Sequence, residues 1–131
     1  MLSCNFKDNN FITVTLGTET LTLETAVSTE AVAQGLSGRT KIPADGMLFV
    51  FPEADMRYFW MKNMNFPLDI IWLSDNTIVG ITYNATIPSE NEREFPRTSY
   101  NSGQPADMVI EVEAGRAVSF AVGMKLEILD S

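Results

Sequence analysis

Apolar and polar residues alternate from Phe11 to Leu16, which sets Ile12, Val14 and Leu16 on one side of an extended chain. After Gly17-Thr18-Glu19 the alternation resumes at Leu21 and Leu23. A period of two marks a half-buried strand, so this stretch predicts a β-hairpin. Val32 and Leu36 then stand about one helical turn apart, preceded by Ser28 or Thr29 as a cap and by Glu30 in the first turn. Gly38 suits a stop, so the pattern predicts one short helix at about 28–38, although Gly35 works against it.

Farther along, the alternation disappears. Pro43-Ala44-Asp45-Gly46 is a turn, and the run Met47-Leu48-Phe49-Val50-Phe51 that follows is apolar at every position. In the strand candidates Arg57–Met61 and Asp69–Leu73, Phe59 and Met61 oppose Tyr58, Trp60 and Lys62, while Ile71 and Leu73 oppose Ile70 and Trp72. Further strands are expected at Thr77–Tyr83, Met108–Val112, Ala117–Val122 and Leu126–Leu129. Three neighbouring strands are thus apolar on both faces, which a sheet with one wet face cannot accommodate. The expected fold is mainly β: a compact antiparallel barrel- or sandwich-like domain, with the helix and a long loop at 84–106 lying outside. The alternative is a groove, in which Tyr58, Trp60 and Trp72 face a ligand. Residues 1–10 read as a polar, flexible lead-in, and 11–131 as one β-rich domain.

Composition removes several kinds of chemistry. The chain has 131 residues and a net charge of −8, a balance that repels nucleic acid and anionic membrane surfaces. It contains no histidine, and so lacks the commonest general base and transition-metal ligand. Its one cysteine, Cys4, cannot form an internal disulfide or a thiolate metal cluster, and nothing in the sequence calls for a metal or cofactor. No apolar run approaches the ~20 residues needed to cross a bilayer as a helix. Met1-Leu2-Ser3-Cys4 reads as a remnant of a lipoprotein cleavage site with Cys4 as the lipidated residue, which favours an extracytoplasmic location in the periplasm or at the cell surface.

The polar residues embedded among the apolar strands are the candidate site. Lys62, Asn63 and Asp69 lie close together in sequence among Trp60, Met61, Met64, Phe66 and Ile70. Buried charges need partners, so Lys62 and Asp69 are expected either to pair within one strand–turn–strand unit or to stand at the rim of a cleft. In the first case Asn63 bonds the turn backbone; in the second, Arg39 is a further cation able to converge there.

The order of motifs resembles the bacterial and archaeal family called domain of unknown function 192. Gly35-Leu36-Ser37-Gly38-Arg39 follows its Gly-Leu-Met-x-Arg-like segment, and Gly46-Met47-Leu48-Phe49-Val50-Phe51 its Gly-Met-Leu-Phe-x-Phe. Phe59-Trp60-Met61-Lys62-Asn63-Met64 with Pro67-Leu68-Asp69 follows the most specific element, Phe-Trp-Met-Lys-Asn-Thr then Pro-Leu-Asp. Tyr100, Ser102 and Pro105 match a Tyr-x-Ser…Pro stretch, and Glu111–Gly115 a strand end. The chain departs from the pattern at Ser37, Met64 and Gly123-Met124-Lys125. The resemblance spans about residues 19–128 and implies a compact, mainly β fold with many exported or lipid-anchored members. It implies no activity.

Three functions remain open. A small-ligand or carbohydrate binding module of the cell envelope would use Arg39, Tyr58, Trp60, Lys62, Asn63, Asp69, Tyr100 and Ser102, with the 84–105 segment as a flap. An enzyme without histidine would use Asp69 with Glu111 as paired acids, or Lys62 with Ser102 as a dyad. A structural domain would bind a protein partner in the envelope through a strand edge or an apolar patch. The binding module is the preferred expectation.

Overall fold

A computed structural model describes residues 6–129. Nine strands are present among them: β1 (Phe11–Leu16), β2 (Glu19–Ala26), β3 (Gly46–Asp55), β4 (Tyr58–Trp60), β5 (Leu68–Ser74), β6 (Thr77–Ala85), β7 (Ser99–Asn101), β8 (Ala106–Glu113) and β9 (Leu126–Ile128). Seven form one sheet in the order β6-β5-β8-β3-β2-β1-β9, curled into a half-barrel, while β4 and β7 form a separate pair. The mainly β fold expected from the alternation is therefore what forms. Cys4, the expected lipidation residue, lies outside the described residues.

Several details differ from the sequence expectation. The strand expected at Ala117–Val122 does not form; a 3₁₀ turn at Arg116–Ser119 occupies its start, because the Gly115 turn at φ 95 leads directly into it. The helix α1 is shorter, Thr29–Gln34, with Ser28 as its N-cap, and turns carry the chain on to Gly38. The sheet is also not wholly antiparallel, because β2 and β3 run parallel from Leu23↔Gly46 to Ala26↔Phe49. A parallel pair needs a crossover, and α1 lies in the segment that supplies it. The 84–106 stretch is broken up by the end of β6, a 3₁₀ turn at Glu90–Glu92 and β7. Residues 7–10 are bonded to β2: Asn9 N–H donates to the Thr25 carbonyl at 2.9 Å, and Thr25 N–H to that of Asn10 at 2.8 Å.

Two apolar clusters explain why the middle strands are apolar throughout. Inside the curl, Val14, Leu16, Leu21, Leu23, Leu48, Ile71, Leu73 and Ile110 pack with Phe120 and Leu126. On the outer face, Met47, Phe49, Ile70, Trp72 and Val109 pack beneath Leu36, Met61 and Met64. The outer residues of β1 and β2, by contrast, are largely polar, such as Thr13, Thr15, Thr20 and Thr22. Only the stretch of sheet covered by α1 and the β4–β7 pair needs apolar side chains on both sides. At the other edge the chain leading into β9 meets β6, with Ile78 N–H donating to Met124 O at 2.9 Å and Gly123 N–H to Ile78 O at 2.8 Å. This sews the two sheet edges together at one end and shields them.

Asp69 is fully buried at the start of β5, and its carboxylate accepts three backbone N–H groups. Asn84 donates to Oδ1 at 2.8 Å, and Gly115 and Ala117 donate to Oδ2 at 2.9 and 3.0 Å. The ion pair with Lys62 expected from the sequence does not form. Hydrogen bonds to a charged acceptor contribute about 1.5–3 kcal/mol each, and removing the acceptor leaves buried donors unpaired. Asp69→Ala is expected to lower stability by roughly 3–5 kcal/mol in urea unfolding; a loss below about 1 kcal/mol would show that water readily replaces the carboxylate.

Candidate functional site

The outer cluster is not closed everywhere. Between α1, the turn that follows it and β4 lies a cavity of about 170 Å³. Its walls are Val32–Ser37 on one side and Tyr58, Phe59 and Trp60 on the other, with Phe49, Met64 and Glu111 also lining it. Strand alternation builds the β4 wall. Phe59 turns inward, its ring 5.0 Å from that of Phe49 and 5.4 Å from that of Trp72, both edge-to-face. Its neighbours Tyr58 and Trp60 must then point outward, and they are 65% and 46% exposed at the mouth. On the opposite wall Gly35 adopts φ +49, and a Cβ there would stand 3.3 Å from the Phe49 ring, so glycine lets the helix end approach the sheet.

Glu111 belongs to the outer-face row of β8, paired with Met47 of β3 and Ile70 of β5. It is 5% exposed and forms no side-chain hydrogen bond or ion pair among the described residues. Burial alone pushes its carboxyl up to about 8, so it carries a proton at neutral pH. Glu24 sits in the same cross-strand row, beside Met47 on β2, and is 6% exposed. Its situation is the reverse: Arg39 grips it with two bonds of 2.8 and 2.7 Å. The sheet face thus holds two buried glutamates, one paired and one bare.

The other sequence-predicted site residues separate. Arg39 is committed to Glu24, and this pairing, with its hydrogen bonds, raises the guanidinium pKa further. Lys62 lies between two rings, its Nζ 5.5 Å from the Trp60 centroid and 5.3 Å from that of Phe95. Asn63 works through its backbone, at φ +53, donating to Arg93 O at 2.7 Å and accepting from Gly38 N–H at 2.9 Å. Ser102 is buried; its hydroxyl donates to Gln104 O and accepts from Arg57 N–H at 3.1 Å. Tyr100 is half-buried in β7 opposite Phe59 and lines a different hollow with Met61 and Ile87. Of the expected set, Tyr58 and Trp60 line the cavity and Lys62 flanks it; Asp69 is taken up by backbone amides.

Neither catalytic pairing is assembled. Asp69 is in register with Val112, and Glu111 with Ile70, so the two acids lie on opposite faces of the sheet. Ser102 and Lys62 have the separate partners just described. The feature that sequence reading undervalued is Glu111 as a solitary group. Its signal is an acid inside the apolar run Met108-Val109-Ile110-Glu111-Val112.

A half-barrel β domain with a small acid-floored cavity under its crossover helix is the class that this geometry defines. The DUF192 family, described as "Uncharacterized ACR", matches residues 12–128, and the chain belongs to that family. No curated protein matches it. Among solved structures, a Sinorhizobium meliloti 1021 protein described as a "putative transcription regulator" is 32% identical, with a TM-score of 0.80 over 95% of this chain and 98% of that one. A protein of unknown function from Novosphingobium aromaticivorans DSM 12444 is 29% identical, with a TM-score of 0.76 over 89% and 84% of the respective chains.

The bare acid has a signature in stability. An unfolded glutamate titrates near 4.5, whereas the native Glu111 holds its proton to about 8. Between those values the native state binds a proton that the unfolded chain has lost, so stability falls as pH rises, by at most about 1.4 kcal/mol per unit. Asp8 is held low by hydrogen bonds from Ser28, and Glu19 by hydrogen bonds from Ser119 and then Arg116, so both act in the opposite sense and only in acid. Glu111→Gln is expected to abolish the decline between about pH 5 and pH 8 in urea midpoints. Equal slopes in the two proteins would mean that the carboxyl is solvated.

Proposed function

We propose that the protein is a small-ligand-binding module whose site is the α1–β4 cavity. The observation that carries this reading is Glu111: a carboxyl buried without a partner, lining a cavity that has exposed aromatic rings at its mouth. Unpaired buried acids are costly, and the ones that persist cluster where a ligand supplies the missing partner. A few polar groups in a mostly apolar recess are the usual make-up of a ligand site. The cell envelope remains our proposed location, supported by the exported character that the family resemblance implies.

A carbohydrate is the second reading, favoured by the exposed rings of Tyr58 and Trp60, on which a sugar could stack across the mouth. Nucleic acid, suggested by the description of the Sinorhizobium meliloti relative, is disfavoured by the net charge of −8. We propose no catalytic step, since the candidate acids face apart.

Titration of a fragment-sized compound panel, followed by amide NMR, tests the assignment. Binders are expected to shift residues 32–37 and 58–60 together. Trp60→Phe should remove most of any ligand-induced change in tryptophan emission, because the remaining Trp72 is 1% exposed. A panel whose shifts map elsewhere, or that gives none, would reject the cavity as the site.

A further inference from the structure

We propose that the group entering the α1–β4 cavity is a small organic cation, an ammonium on a compact apolar body, received by the Glu111 carboxyl. This rests on the reading of that cavity as the ligand site and deepens it to a chemical class.

The donor inventory of the walls is the first argument. Ser37 Oγ donates to the Lys62 carbonyl at 2.6 Å, and Gln34 Nε2 donates to the Ser37 carbonyl at 2.8 Å. The remaining side-chain donors, on Tyr58 and Trp60, belong to rings exposed at the mouth. Spare side-chain donors are few: the second Nε2 hydrogen of Gln34, an exposed residue, and the proton of neutral Glu111 itself. Once Glu111 has given up that proton the cavity offers a carboxylate acceptor, and an ammonium arrives with its own donors.

The walls also favour positive charge. Aromatic rings attract cations through their quadrupole, and Phe49 and Phe59 line the inner cavity while Tyr58 and Trp60 stand at its mouth. The last turn of α1 lines one side, although its Ala31 and Gln34 carbonyls already accept from the N–H groups of Gly35 and Ser37 at 2.8 and 3.0 Å. The chain itself shows how such an acid is neutralised: Glu24, in the same row, takes the Arg39 guanidinium. Among the described residues no side-chain cation pairs with Glu111.

Size sets the rest. A cavity of about 170 Å³ is close to the ~150 Å³ engineered cavity that takes one benzene. That volume takes a group about the size of one six-membered ring, and a sugar ring there would bring hydroxyls that the apolar walls leave unpaired. Lys62, against the outer aromatic pair, opposes a cation held at the rim and so favours one held deep. Besides Glu111, Tyr58 is the titratable group among the lining residues, and Glu24 beyond Met47 is already balanced.

Binding then moves one proton. Near neutral pH the carboxyl of Glu111 gives its proton to the buffer, and the resulting carboxylate pairs with the incoming ammonium.

The experiment compares cyclohexylammonium, cyclohexanol and glucose on the full chain by amide NMR and by calorimetry in buffers of different ionisation enthalpy. The expected result is cyclohexylammonium binding about tenfold or more tighter than cyclohexanol, with shifts at residues 32–37 and release of close to one proton near pH 6–7. Glu111→Gln, shown to be folded by a cooperative urea transition, should bring amine and alcohol to similar affinity. Cyclohexanol or glucose binding wild type as tightly as the amine, or an amine affinity unchanged in Glu111→Gln, would overturn the cation while leaving the cavity as a ligand site. If none of the three shifts residues 32–37 while other fragments of the panel do, the cation again falls alone; if no compound does, the site falls as well.

Discussion

The carboxylate of Asp69 fixes where three parts of the chain must meet. It accepts from the amide of Asn84 at the end of β6 and from those of Gly115 and Ala117 in the turn after β8. β5 lies between β6 and β8 in the sheet, so one buried acid clamps the ends of three adjacent strands. Strand register follows from such a clamp, because a slip of one residue would turn every side chain to the other face. With Asp69 facing one way, Ile70 and its partner Glu111 are held to the other. The site on the outer face thus depends on a bond network on the opposite one.

The outer face has two coverings, and the cavity lies at their seam. α1 is part of the crossover demanded by the parallel β2–β3 pair, and β4 is held by β7. Neither belongs to the main sheet, so their separation is set by side chains between them. Phe59 wedges against Phe49 and Trp72 from one side, while Gly35 allows close approach from the other. The turn after α1 is tied down by Lys62 and Asn63, whose carbonyls accept from Ser37 and Gly38. The segment that the sequence marks as a polar binding motif is therefore mainly a fastening for the cavity wall.

Much of the architecture is legible in the pattern of apolar positions. Runs apolar at every position in β3, β5 and β8 require a sheet covered on both sides, and the two clusters supply it. The reversal of β2 into a parallel neighbour of β3 is less legible, since a helix between two strands fits several topologies. Asp69 and Glu111 show the limit more sharply. Both are acids among apolar residues in adjacent strands, and composition treats them alike. Their roles differ because backbone amides from distant turns converge on one and none reaches the other. Such convergence is a property of the assembled ends of strands, which local spacing does not encode. Arg39 is a parallel case: its partner Glu24 is fifteen residues away on β2, and the expectation that Arg39 converges on Lys62 takes no account of that reach.

The contrast between the two glutamates of the outer face bears most directly on function. An apolar residue at position 111 would continue the surface formed by Met47 and Ile70, and it would relieve the burial that lifts the carboxyl to about 8. Stability alone therefore argues against the acid that is there. Specificity of folding does not call for it either, because Asp69 and the Glu24–Arg39 pair already fix register and crossover with satisfied polar groups. A bare acid at the base of a small aromatic recess is accounted for when the missing partner is a ligand, since binding then recovers the desolvation that folding leaves uncompensated.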